Sequence, residues 1–188
     1  MAGDRATRAD VATTDFGAHF LDEARRGYRA LKQEADAAVA QLGDEQLWAT
    51  LDAESNSVGV IMRHVAGNLR SRWTDFLAAD GEKPDRDRDG EFERPADASR
   101  AALLRDWEDG WRCAAAALDA LVPADLPRTV TIRGEPHTVL RAIERNVRHC
   151  ASHVGQIVYL AKHLCGAEWR TLSIPRGESR TWRPGGRA

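Results

Sequence analysis

Asn146-Val147-Arg148-His149-Cys150-Ala151-Ser152-His153-Val154-Gly155-Gln156 decides how this chain is read. The apolar residues in and around it, Ile143, Val147, Cys150, Val154 and Ile157, recur at helical intervals. Residues three and four apart share a helix face, so Asn146, His149, His153 and Gln156 form one polar stripe between apolar flanks. Polar groups turned inward are costly unless something satisfies them. Two imidazoles one turn apart can hold a metal ion together. The stretch predicts a long helix that carries a candidate metal site towards the interior.

Working outward, that helix runs from Val139 to Leu164, with Thr138 as N-cap and Gly166 as terminator. Three more helical patterns precede it. The first spans Phe16 to Leu42, capped by Thr14 or Asp15 and ended by Gly43, with Phe20, Leu21, Tyr28, Leu31, Ala35, Val39 and Leu42 apolar. The second spans Val58 to Ala79 behind Ser57, with an inward stripe of Ile61, Val65, Leu69, Trp73 and Phe76. The third spans Ser99 to Leu121 and buries Leu103, Leu104, Trp107, Trp111, Ala114 and Leu118.

Between the second and third lies Asp80 to Pro95, a highly charged connection punctuated by Gly and Pro. Its length allows a crossover between distant helix ends. Before the last helix, Thr129-Val-Thr-Ile-Arg-Gly-Glu135 predicts a short β-rich excursion turning near Gly134. The expectation is an all-α chain of four helices with a charged crossover and a small irregular or β-hairpin insertion. A flexible N-terminus over 1–14, one domain over 15–172 and an extended tail over 173–188 complete it.

The 188 residues suffice for one domain with a proper core. Hydrophobic content of 43% and charged content of 30% fit a globular chain rather than a disordered one. The net charge is −2 with both signs interspersed, so no basic block marks a nucleic-acid footprint. No apolar run reaches membrane-spanning length, and Met1 to Thr14 holds no apolar signal core. A cytoplasmic protein is expected. Three cysteines, Cys113, Cys150 and Cys165, lack C-x-x-C spacing and read as reduced core thiols. A reactive Cys150 beside His149 is the minority reading.

The histidines differ in promise. His149 and His153 match the H-x-x-x-H spacing of zinc proteases, but Cys150 stands where the general-base Glu belongs. His64 lies on the second helix beside Ile61, Val65 and Asn68 and, taken alone, reads as a hydrogen-bonded core residue. Together, two facing helices bring three neutral imidazoles inward. That set leaves a coordination position open, as catalytic zinc sites do, and nickel or iron would also accept it. Asn68 and Gln156 could support the ligands or a metal-bound water, or simply hydrogen-bond across the helices. His19 and His163 have weaker claims, and His137 reads as part of the last helix's entry turn. Trp73, Trp107 and Trp111 sit at core spacing.

Four segments carry a family resemblance: Asn56 to Asn68, Arg72 to Pro84, Arg133-Gly-Glu-Pro-His-Thr-Val139 with His149 to Lys162, and Trp169 to Ser179. The chain resembles the DinB/YfiT-like superfamily of metal-binding four-helix proteins, and within it an uncharacterised domain-of-unknown-function branch. The resemblance implies an up-down-down-up bundle whose parallel middle pair needs the crossover. It implies a triad of His64, His149 and His153 around one divalent metal, commonly zinc or nickel. Some relatives are thiol-dependent transferases or isomerases that use mycothiol or bacillithiol, and homodimers are common.

Two functions compete. In the first, a metal lowers the pKa of a bound low-molecular-weight thiol or water, which attacks a small electrophile. His64, His149 and His153 are its ligands, and Gln156 or Asn68 orients the nucleophile. No Asp or Glu is an evident general base on these faces, which favours thiolate chemistry, although Asp75 or Glu144 could approach in three dimensions. Arg72 offers a group for an anionic substrate, against the simpler reading of a solvated surface arginine. In the second, the protein is a non-catalytic metal-binding or stress-response dimer. A purely structural set of mutually satisfied histidines is the third reading.

Overall fold

The computed structural model describes residues 6–181 and 183, with side chains from Phe16 onward. It is mostly helical, with five α-helices and one two-stranded antiparallel sheet. In chain order these are α1 (Ala6–Val39), α2 (Asp44–Leu47), α3 (Val58–Trp73), α4 (Arg100–Ala120), β1 (Thr129–Ile132), β2 (Glu135–Thr138) and α5 (Val139–Cys165).

Ser57 and Thr138 cap their helices where the sequence places them, and Ser99, expected as the first residue of the third helix, is its N-cap. Ser57, Ser99 and Thr138 each accept a hydrogen bond from the amide three residues on, satisfying a donor the helix cannot pair. Gly166 ends α5 with a φ of 56°. Other boundaries differ. Helix α1 starts at Ala6, ten residues upstream of Phe16, so 6–14 belong to the helix; residues 1–5 lie outside the described residues. At its other end α1 stops at Val39, and Gly43 precedes the short α2 instead of ending the first helix. Four residues are too few to display a period, yet α2 puts Leu47 fully into the core. Helix α3 ends at Trp73 rather than Ala79. Thr74 turns extended and Asp75 takes a φ of 48°.

The long helices meet in definite senses. Helices α1 and α4 run opposite ways: Arg25 donates to the carbonyls of Leu118 and Leu121, and Lys32 pairs with Glu108 at 2.7 Å. The Arg25 contact also sets a cation on the α4 C-terminus, where free carbonyls gather. Helices α1 and α5 run the same way, with Tyr28 against Asn146 and the Gln41 carbonyl against Cys165. Helices α3 and α4 also run the same way, Arg70 pairing with Asp106 and Thr74 touching Cys113. Their backbones approach closely, because a Cβ at Gly110 would lie 2.8 Å from the Ala66 Cα. Parallel neighbours cannot be joined by a tight turn, which is why residues 74–99 are needed between them.

Helix α3 is the most enclosed element. Every residue from Val58 to Trp73 except Arg63 and Arg70 is buried. The sequence predicts one inward stripe there. The structure wraps α4, α5 and the crossover around the helix, so His64, Asn68, Ser71 and Arg72 are enclosed as well.

The hairpin pairs Thr129 with Thr138 through Ile132 with Glu135 and turns on Arg133 and Gly134, both at positive φ. It buries Val130, Ile132 and His137. His137 is therefore a strand residue and not part of a helix entry turn. One carboxylate fastens the crossover to the hairpin. Asp80 accepts from the amides of Glu82, Arg133 and Gly134 at 2.7–2.8 Å. At the far end, Arg170 exchanges hydrogen bonds with Gln41, and Trp169 and Leu172 pack on the core. Residues 173–181 are turns and bends, mostly exposed; Trp182 and 184–188 lie outside the described residues. No helix among the described residues is long and apolar enough to cross a membrane.

Candidate metal centre

Helix α3 contributes His64, and one face of α5 contributes His149 and His153. The antiparallel passage of the two helices brings the rings to centroid distances of 5.2 Å, 4.9 Å and 4.6 Å. One possible ligand atom from each lies within 4.8 Å of those of the other two. Among the described residues no other group of three His, Cys, Asp or Glu side chains converges in this way. His19 and His163 are exposed and stand apart.

Which nitrogens are free follows from the hydrogen bonds. His64 Nδ1 lies 2.9 Å from Glu91 Oε2, inside the protein. Burial opposes the ionisation of Glu91, but hydrogen bonds from His64 and Arg86 outweigh it and hold the carboxyl below its ordinary value. An ionised carboxylate only accepts, so Nδ1 donates and Nε2 is the nitrogen left to serve as a ligand. His153 Nδ1 lies 3.0 Å from Gln156 Oε1, an acceptor, which leaves Nε2 free there too. His149 Nε2 is buried with no hydrogen-bond partner among the described residues. Burial, with the neighbouring His153 and His64 and then Arg86 and Arg72, pushes His149 down to about 3. Burial likewise lowers His153, against the hydrogen bond it donates to Gln156. Both rings are neutral near pH 7, the form that binds metal.

Glu91 is the residue the sequence reading lacks. It comes from a 3₁₀ turn, Gly90–Phe92, in the charged crossover, and Phe92 stacks on His64 at 4.7 Å. Both Glu91 oxygens are engaged by Arg86, through Nε and Nη2 at 2.8 Å. Among so many acidic neighbours nothing in the sequence singles Glu91 out. The one available signal was Gly67, a turn along α3 from His64. A Cβ there would lie 2.0 Å from Glu91 Oε1, so only glycine admits the carboxylate to that face. Asp75 and Glu144, the acids expected to approach, do not: Asp75 is exposed, and Glu144 is exposed and pairs with Arg148 at 2.9 Å.

The remaining expected residues divide. Gln156 supports a ring, as above. Asn68 belongs mainly to a buried network: its Oδ1 accepts from Asn146 Nδ2 at 2.8 Å, while Asn146 Oδ1 accepts from Tyr28 at 2.6 Å and Trp73 at 2.9 Å. Burial, followed by the nearby Cys150, holds the Tyr28 hydroxyl well above its ordinary value, so it remains a donor. Arg72 is only 7% exposed, which corrects the solvated-surface reading. Cys150 is fully buried and burial pushes its thiol to about 12, which removes it as a nucleophile; all three cysteines are free thiols.

No curated protein matches this sequence. A family model does, over residues 15–178, which takes in α3, the crossover and α5 with all three histidines. The chain belongs to the family described as protein of unknown function (DUF1572).

Proposed function

We propose that this chain is a divalent-metal-binding protein of the DinB-like kind, an up-down-down-up four-helix bundle whose centre is His64, His149 and His153. The helix senses described above support the bundle. The metal reading rests chiefly on one observation, the convergence of three imidazoles with free or unpartnered nitrogens. Mutually satisfied structural histidines would donate to one another, whereas His149 Nε2 is buried without any partner among the described residues. The Glu91–His64 pair is the carboxylate–histidine arrangement that fixes a metal ligand's tautomer and raises its basicity. The all-nitrogen donor set suits zinc or nickel.

Three protein ligands leave a position for an exogenous group, and the ion would lower the pKa of a thiol or water placed there. The chain's own residues favour a thiol. Glu91 has both oxygens engaged by Arg86 and one by His64, so it is not available as a general base for hydrolysis. With Cys150 inert, the thiol is an external small molecule. Gln156 sets the orientation of His153, and the Asn68–Asn146 network fixes the wall of the site nearest the hairpin.

Elemental analysis of tag-free protein, beside the His149→Ala/His153→Ala double variant, tests this. About one divalent ion per chain is expected, and its loss in the variant. A chain that stays metal-free after incubation with zinc and with nickel would sink the proposal.

A further inference from the structure

Against the triad lies a cavity of about 180 Å³ whose wall includes His64 and His149. Five arginines line it, Arg72, Arg86, Arg88, Arg133 and Arg145, against one carboxylate, Glu82. Most of these charges are already spoken for. Arg86 is held by Glu91 and Glu82, Arg133 reaches Glu82 at 3.5 Å, and Arg88 lies over the Phe92 ring near Asp89.

Two are not. Arg72 is 7% exposed, and its Nη1 is buried without a hydrogen-bond partner among the described residues. Room for that nitrogen is made by Gly81, where a Cβ would lie 2.6 Å from Nη1. Among the described residues Arg145 makes one hydrogen-bond contact, with His137 Nε2 at 3.5 Å. Burial opposes the Arg72 charge, Arg145 and Arg86 repel it, and Glu82 and Asp80 attract it without supplying Nη1 a hydrogen bond. A buried guanidinium nitrogen left without an acceptor, beside a second cation, is costly on its own. A guanidinium fork matches the oxygens of a carboxylate or phosphate.

We propose that Arg72 and Arg145 form an oxyanion subsite beside the histidine triad, which takes the carboxylate or phosphate group of a small substrate or thiol cosubstrate. This inference rests on the metal reading only for the subsite's role. An oxyanion held there places the rest of its molecule against His64 and His149, which share the cavity wall.

Calorimetric titration of the metal-loaded full chain with inorganic phosphate, and separately with acetate, at constant ionic strength tests the subsite. Saturable binding of one anion per chain is expected from at least one of the two. Phosphate alone would point to a phosphate ester, acetate alone to a carboxylic acid. Arg145→Gln changes an exposed residue and should fold. It should weaken binding roughly ten- to a hundredfold, as loss of a charged hydrogen bond does, with metal content unchanged. Arg72→Gln should do the same, and if it fails to fold the Arg145 variant decides. The metal-stripped chain separates the two readings. Anion binding that survives stripping upholds the subsite whatever becomes of the metal proposal. No saturable binding of either anion overturns it. So does binding that Arg145→Gln leaves intact, including binding that metal removal alone abolishes.

Discussion

Helices α3 and α5 enclose two polar clusters, one turn apart. In the first, Asn146 sits between Tyr28, Trp73 and Asn68, and each of these partners is used. In the second, His64, His149 and His153 approach just as closely, but only one nitrogen of His64 and one of His153 are tied down, and His149 Nε2 is buried with no partner among the described residues. Burial alone does not separate them, since His64 is as enclosed as Asn146. What separates them is the hydrogen-bond account. A satisfied cluster holds helices together, and one with unpartnered nitrogens has the means to take a ligand.

The comparison breaks most readily at Asn146. Asn146→Leu strands the Tyr28 hydroxyl and the Trp73 N–H in the core, and unfolding free energy should fall by roughly 3–5 kcal/mol. The metal-to-protein ratio of the folded fraction should not change. Denaturant titration with elemental analysis reads both. A cost under about 1 kcal/mol, or loss of metal from folded protein, would erase the distinction between the clusters.

A smaller effect probes the second cluster without touching a ligand. Gly67→Ala drives a methyl group into Glu91 and should free His64 from its carboxylate. Metal affinity should drop roughly ten- to a hundredfold, as it should in Glu91→Gln. Because both changes remove one interaction, the double variant should be little worse than either alone. Competition against a chromogenic chelator would show this, and additive losses would mean that Gly67 acts some other way.

The smallest effect lies outside both clusters, at Asp80. Burial works against its ionisation, yet the amides of Gly134, Glu82 and Arg133 hold its carboxyl far below the ordinary value of 3.8. Asp80→Asn should cost roughly 1–2 kcal/mol at neutral pH. The sign with pH follows from the depressed value: as pH falls below about 4 the unfolded chain takes up the proton first, so the wild type loses this contribution. Its advantage over the variant should be complete above the ordinary Asp range and shrink steadily below it. A gap that stays constant from neutral pH to about pH 3 would show that the three amides do not prefer the charge.

Much of this was legible in the sequence because it repeats or punctuates. Apolar periods gave α3, α4 and α5, and Ser57, Ser99 and Thr138 marked their starts. The hairpin was visible in Thr129 to Glu135. The three histidines could be paired across helices because each lies on an apolar face. What stayed hidden depends on long-range contacts. Glu91 looks like any acid in a charged run until the crossover folds back on α3. Arg72 looks solvated until the hairpin and Gly81 close around it. Asp80 looks like one more acid of the charged run until the hairpin brings it amides more than fifty positions away.

The separate origins of the four groups at the centre have a consequence for timing. His149 and His153 are neighbours on one helix, and any helical stretch of that sequence presents them together. His64 and Glu91 arrive only once α3 has docked on α5 and the crossover has closed. Under the metal reading, a newly made chain would meet ions first with a two-toothed grip and later with a three-toothed, carboxylate-braced one. The choice of ion would then be made by the finished fold, and early, weakly held ions could still be exchanged before the crossover shuts.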